Sequence, residues 1–253
     1  MKAFEAKHYL LEAQILWDRV EDRTVYPFCL PAISQIKRIV FHPRVTFLVG
    51  ENGSGKSTLI EALAVAWGFN AEGGTRNFNF ETRRSHSDLS KMLRLVKGVR
   101  KARDGFFLRA ESYFNLASNI DELDETPGLG PPIKDSYGGK SLHHQSHGES
   151  FFALLEHRLG GNGLYIFDEP EAALSPSRQL SMLVRMHDLV KANSQFIIAT
   201  HSPILMAYPG AQILQVSRYG LEEIAYEDTE HFQVTRNFLN RHEMMIEHLF
   251  EDE

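Results

Sequence analysis

The run Gly50-Glu51-Asn52-Gly53-Ser54-Gly55-Lys56-Ser57 constrains this chain more than any other feature. It fits G-x-x-x-x-G-K-[ST] and lies between a strand pattern, Val45–Val49, and an apolar helix pattern, Ser57–Trp67 (STLIEALAVAW). With average residue usage a chance match in a chain of 253 residues is about one in a hundred, and the strand-loop-helix context makes an incidental glycine turn rarer still. Glycines at 50, 53 and 55 let the backbone turn tightly and aim successive N–H groups at phosphate oxygens. The helix that starts near Lys56 adds the positive end of its dipole. Residues 50–57, with Thr58 on the first helical turn, are therefore expected to cradle phosphates; Lys56 reaches the β and γ phosphates and the Ser57 hydroxyl ligates Mg²⁺.

A second apolar strand, Leu164–Phe167, delivers Asp168 and Glu169 at its C-terminal end, where open α/β sheets hold their ligands. Two acids after a strand are more often a helix start than a catalytic pair. Beside a phosphate loop the balance reverses: Asp168 orients the Mg²⁺ shell, and Glu169 polarises an attacking water. A helix opened by Ser175 as N-cap and Pro176 at its first position runs to about Ala192, and the strand Gln195–Thr200 follows. That strand ends at His201, whose imidazole is placed to hold the γ-phosphate and sense its loss, although a lone histidine is usually structural. Strand, helix and strand in this order predict an α/β fold with a mostly parallel core sheet.

The remainder reads less sharply. Residues 8–49 are strand-rich and predict an antiparallel N-terminal β part, with a Pro-punctuated loop at Tyr26, Pro27, Phe28 and Pro31. GFFLRA at 105–110 predicts a strand, 112–123 a helical start, 126–139 a Pro- and Gly-rich surface loop, and Gly148–Leu159 a helix. A hairpin is expected from Gln212–Val216 and Leu221–Ala225 around Tyr219-Gly220, then one or two helices from Thr229 to Phe250. The lone Cys29 points to a reducing compartment, the cytoplasm. Charges spaced through Met1–Glu21 argue against a signal or anchor there, and no run approaches 18 apolar residues, so direct membrane insertion is not expected. The net charge of −6 hides a polar distribution. Arg76–Arg103 carries nine basic and two acidic residues, whereas ten acids after Leu221 face only Arg236 and Arg241. The basic run is either a solvated surface or a patch for nucleic acid or an acidic protein effector.

Taken in order, these residues resemble the nucleotide-binding domain of ABC-type ATPases. The decisive addition is Gln145-Ser146-His147-Gly148-Glu149, upstream of the acidic strand, which resembles the signature L-S-G-G-Q with Ser146 and Gly148 kept and Glu149 in place of glutamine. Ser146 also fits a plain helix cap, and His143, His144 and His147 a metal cluster without strong ligand spacing. The signature with glutamate, the D-E-P-E-A-A-L-S-P run and A-T-H-S-P-I-L look less like transporter subunits than like soluble heads of SMC and RecF-type proteins and small stand-alone predicted bacterial AAA/ABC ATPases. The resemblance covers roughly residues 36–216. Only 89 residues separate Lys56 from Ser146, and they hold no heptads, so coiled-coil arms are not expected.

The resemblance implies a P-loop NTPase of ABC-head type spanning 1–253 as one domain, with a helical subdomain at about 112–159 and a C-terminal hairpin and helices at about 210–253. It further implies ATP and Mg²⁺ as ligands and a head-to-tail homodimer in which Ser146, Gly148 and Glu149 of one copy close over ATP on the other. Glu111 is taken as the metal-shell group where the family's glutamine stands, and the family's aspartate after the acidic strand falls on Ser175. Three functions compete: a soluble mechanochemical or switch ATPase, the ATP-binding subunit of a transporter, and an ATP-gated nucleic-acid-binding module.

Overall fold

The computed structural model describes residues 8–75, 88–109 and 147–251. Its main sheet has the strand order β5-β6-β7-β3-β8-β9. β3 (Val45–Val49), β5 (Asp104–Arg109), β6 (Gly163–Asp168), β7 (Gln195–Ala199) and β8 (Gln212–Ser217) run parallel, and β9 (Gly220–Glu223) returns antiparallel on β8. Every residue of β3, β6 and β7 is buried, which is why these strands read as continuous apolar runs.

Alternate residues of the sheet feed two cores. Phe47, Tyr165, Phe167, Phe196 and Ile198 pack with Phe151 and Leu154 and with Met182, Met186 and Leu189 of the helix Pro176–Lys191. Leu48, Leu164, Ile166, Ile197 and Ala199 pack on the other face against Leu59, Ile60 and Leu63 of the helix Lys56–Trp67. Gly68 ends that second helix with φ 108°, its N–H on the carbonyls of Ala64 and Val65, where the sequence placed the stop.

The expected antiparallel part is a separate sheet, β2 (Arg38–Val40), β1 (Leu10–Ile15) and β4 (Leu93–Lys97), in the order β2-β1-β4. Gln195, buried at the start of β7, ties it to the main sheet. Its Oε1 accepts from the N–H groups of Tyr9 and Leu10 at 3.1 and 2.9 Å, and its amide donates to the carbonyls of Leu10 and His42 at 2.8 and 3.1 Å. Four backbone groups are thereby satisfied by one side chain.

Several elements differ from the sequence reading. Pro31 opens a short helix, Pro31–Gln35, instead of ending a loop, because a proline at the first helical position gives up no hydrogen bond. The helix expected from Gly148 starts at His147, is α-helical to Ala153, and passes into a π-turn, Leu154–Arg158. The Arg185 guanidinium meets the carbonyls released there, donating to Leu155, Glu156 and Leu159 at 2.9, 3.2 and 2.6 Å. Ser175 is an N-cap by position, but its side chain makes no cap bond; separately, the buried Gln179 amide ties the helix to the preceding segment by donating to the Leu174 carbonyl at 3.0 Å. The C-terminal helix, Glu230–Phe250, is broken by a non-helical Arg241 (φ −143°, ψ 33°), so it is two helical segments that meet at a kink. The expected helix at 112–123, the loop at 126–139 and most of the helical subdomain at 112–159 lie outside the described residues.

Asp104, at the start of β5, organises the end of the sheet remote from the phosphate loop. It accepts from Tyr165 Oη at 2.7 Å, the Gly160 N–H at 2.9 Å and Arg158 at 3.0 Å. Burial opposes its charge, but these donors together hold its carboxyl below the ordinary aspartate range. Its stabilisation is then fully present above the unfolded pKa and is lost as pH falls through the lower folded value. Replacing Asp104 with Asn should cost about 2 kcal/mol at neutral pH, read by urea unfolding, and should flatten the acid limb of the stability profile.

Candidate functional site

Strand register builds the site. Leu48 of β3 and Asp168 of β6 are both opposite Ala199 of β7, so three parallel strands end on one line and their loops open into one crevice. The loop after β3 is held tightly. A Cβ on Gly50, at φ 146°, would sit 2.4 Å from the Val216 carbonyl oxygen at the end of β8, whereas one on Gly53, at φ 77°, would meet nothing within 4 Å. Only glycine at 50 allows this backbone approach.

Lys56 is 3% exposed, and its ammonium donates to the carbonyls of Gly50 and Glu51, both at 2.8 Å. Burial lowers its pKa, while the charges of Glu169, Asp168 and Glu171 oppose the shift. The lysine thus lies beneath its own loop with three carboxylates in electrostatic reach. Ser57 donates from Oγ to Asp168 Oδ1 at 3.2 Å, joining the first turn of the helix to the end of β6. Arg109, at the end of β5 and in register with Asp168, places Nε 3.9 Å from Asp168 Oδ2 and donates to Glu61 Oε2 at 2.8 Å.

The Ser57 hydroxyl and the 4%-exposed Asp168 carboxylate are hard oxygen donors already in contact, a set that fits Mg²⁺ shared with phosphate oxygens. Glu111 and Ser146 lie outside the described residues. Gly148 and Glu149 belong to the helix His147–Ala153.

Glu169 has a left-handed backbone, φ 50°, ψ 52°, which is uncommon for a residue with a Cβ. Its N–H donates to the Ala199 carbonyl at 2.9 Å, which holds this conformation against β7. Local strain of this kind collects where a side chain must be aimed. With Tyr26, Asn52, Lys56, Ser57 and Thr58, Glu169 lines a cavity of about 460 Å³.

His201 follows β7 and is fixed by three contacts. Its backbone N–H donates to Glu171 Oε1, its Nδ1 is 2.8 Å from His231 Nε2, and its Nε2 is 3.5 Å from Glu169 Oε1. Burial first, then the charge of Lys56 and the neighbouring His231, lowers its pKa against the pull of Glu169. Glu171 is half-buried, and its partial burial raises its pKa against the backbone N–H groups and the Thr200 hydroxyl that donate to it.

Lys56, Ser57, Asp168, Glu169 and His201 are therefore gathered in one crevice, with Gly50–Gly55 forming its floor. Sequence reading missed four neighbours. Arg109 lies in the strand expected from GFFLRA, but only the β5–β6 register, which the sequence does not carry, sets it opposite Asp168. Glu171 stands in the quoted D-E-P-E run but was given no role. Tyr26, whose Oη is 2.9 Å from Thr58 Oγ1, and His231, 30 residues beyond His201, carry no sequence signal of their own.

Residues 81–207, half of the chain, match a family described as an AAA domain, putative AbiEii toxin, type IV TA system; residues 32–116 match a second AAA-domain family. An uncharacterized ABC transporter ATP-binding protein of Haemophilus influenzae is 24% identical over 236 residues, which cover 86% of this chain and 84% of that protein. The ABC transporter G family member STR2 of Medicago truncatula is 27% identical over 172 residues, 63% of this chain; the match spans about a quarter of the STR2 sequence. Among solved structures, an inward-facing putative metal-chelate type ABC transporter aligns over 90% of this chain and 88% of its own, at 13% identity and a TM-score of 0.49.

The loop geometry separates two glycines. Gly50→Ala should weaken ATP binding at least tenfold and lower the melting temperature, because a backbone carbonyl has to move. Gly53→Ala should cost only about 1 kcal/mol of backbone strain. Calorimetric titration and thermal melts of both variants check this ordering.

Proposed function

The chain belongs to the AAA-domain family described as putative AbiEii toxin, type IV TA system, and is an ATP hydrolase of the P-loop class; from that premise we propose a Mg²⁺-dependent switch ATPase whose two copies close head to tail around two ATP molecules and part after hydrolysis. The observation that carries this reading is the meeting of Lys56, Ser57, Asp168, Glu169 and His201 at the ends of three parallel strands.

On binding ATP, Lys56 exchanges the Gly50 and Glu51 carbonyls for β and γ phosphate oxygens, trading neutral acceptors for charged ones. The loop N–H groups and the start of the helix Lys56–Trp67 meet the remaining phosphate charge. Ser57 and Asp168, with Glu111 as a further group, would hold Mg²⁺, which when bound neutralises charge developing on the β and γ oxygens. Glu169 accepts a hydrogen bond from the attacking water and orients it in line with the γ-phosphate. His201 donates an N–H to the γ-phosphate and loses that partner when phosphate leaves.

Ser146, Gly148 and Glu149 of the second copy complete the cradle in trans, and the whole chain, 1–253, acts as one head in the cytoplasm. Six exposed basic residues cluster around β4: Lys91 in the turn before it, Arg94 and Lys97 on it, and Arg100, Lys101 and Arg103 just after it. They support an acidic protein or nucleic acid as effector of the closed dimer, while Arg76, Arg83 and Arg84 lie outside the described residues. The names of the two curated relatives favour a second reading, the ATP-binding subunit of a membrane transporter. Among the described residues no helix is long and apolar enough to cross a membrane, so in that reading the membrane path belongs to a partner.

Size-exclusion chromatography of Glu169→Gln tests the dimer. With Mg²⁺ and saturating ATP this variant should elute as a dimer and without nucleotide as a monomer, the wild type showing the dimer only before turnover is complete. A monomer under saturating ATP in both proteins contradicts the proposal.

A further inference from the structure

We infer that His231, on the C-terminal helix, sets the tautomer of His201 and is thereby a positioning residue for ATP hydrolysis. The inference rests on the reading of His201 as the γ-phosphate contact and adds to it the group that makes that contact a donor.

Two imidazoles meet at 2.8 Å, Nδ1 of His201 to Nε2 of His231, with ring centroids 4.9 Å apart and planes at 61°. A contact this short between two ring nitrogens holds a proton on one of them. Burial, as the leading cause, holds both histidines below their ordinary range, so both rings are neutral near pH 7.5 and each carries a single N–H. Two arrangements remain. If His201 carries its proton on Nδ1, it donates to His231, and its Nε2 presents a lone pair to Glu169 Oε1 at 3.5 Å. That arrangement sets a lone pair against a carboxylate and would meet an incoming phosphate with another acceptor. If His231 carries its proton on Nε2, it donates to His201 Nδ1, and His201 must carry its own proton on Nε2. The N–H then points to the Glu169 side, where the γ-phosphate is read to lie, and every lone pair near the carboxylate is replaced by a donor.

The local fold keeps His231 in place. Thr229, 1% exposed, caps the helix by accepting from the Phe232 N–H, and Tyr226 donates to the Pro203 carbonyl at 2.9 Å. Tyr226 also packs on Phe232 with centroids 4.6 Å apart. The first turn of the C-terminal helix is thereby docked on the segment that follows His201, and His231 projects from that turn. A histidine tautomer fixed by a partner that never touches substrate is an established way to orient a catalytic donor, and the wrong tautomer is costly.

The test combines ¹⁵N imidazole spectra with kinetics of His231→Ala, His231→Gln and His201→Ala, each checked for an unchanged melting temperature. Wild-type spectra should show His201 protonated at Nε2 with Nδ1 as acceptor; a proton on Nδ1 overturns the proposal without any variant. His231→Ala should shift His201 toward the other tautomer and lower kcat for ATP at least tenfold, with KM changed less than twofold. His231→Gln, whose amide can still donate to Nδ1, should keep the Nε2–H form and recover most of kcat. Wild-type kcat and tautomer in His231→Ala, alongside a His201→Ala protein that has lost activity, overturns the proposal while the reading of His201 stands. Wild-type turnover in His201→Ala overturns both.

Discussion

The parallel register of β3, β7 and β6 is the constraint on which the rest of the structure depends. With Leu48 and Asp168 both opposite Ala199, the phosphate loop, the acidic pair and His201 all leave the sheet at one edge. A slip of one residue in β6 would exchange Ile166 with Phe167 between the two cores and turn Asp168 away from Ser57. The apolar side chains that fill those cores therefore also determine that Ser57 and Asp168 stand 3.2 Å apart. Packing and chemistry are enforced by the same residues.

Within that frame the site holds opposed charges at short range. Lys56 is buried, yet Glu169, Asp168 and Glu171 favour its charged form, and two loop carbonyls satisfy its ammonium. Those carbonyls are partners that phosphate oxygens can replace, so binding reorganises one side chain and not the fold. Glu169 is held in a left-handed conformation by its N–H to Ala199, and His201 by its N–H to Glu171. Both functional side chains are anchored through their backbones, and His201 Nε2 and Glu169 Oε1 face each other at 3.5 Å while His201 Nδ1 is held by His231.

What could be read from the sequence follows the range of each signal. The β3-loop-helix unit was legible because its motif is local: glycine positions, an apolar strand and a capped helix within about two dozen residues. The buried strands Gly163–Asp168 and Gln195–Ala199 were legible as continuous apolar runs, and the helix between them by its Ser-Pro start. Contacts across long sequence separations were not. Gln195 reads as one polar residue at a strand start, yet it joins two sheets by bonding Tyr9, Leu10 and His42. Arg109 lies two residues before Glu111, the residue chosen from family spacing, and only the β5–β6 pairing shows that it faces Asp168. His231 sits on a helix with no fully buried residue, where sequence patterns suggest solvent, and its partner is 30 residues away. The π-turn at Leu154–Arg158 depends on Arg185 from another helix, which local propensity cannot see.

The central claim is that the loop after β3 and the carboxylates after β6 form one ATP-hydrolysing centre with Lys56 as its phosphate anchor. Single-turnover hydrolysis of radiolabelled ATP by excess enzyme, comparing wild type with Lys56→Ala, tests this most directly because it is independent of product release and of any effector. The wild type should show Mg²⁺-dependent cleavage and the variant, still folded, a rate at least a hundredfold lower, about 2.7 kcal/mol or more of lost transition-state stabilisation. Equal rates in the two proteins, or no cleavage by the wild type under any Mg²⁺ and ATP concentration, would contradict it.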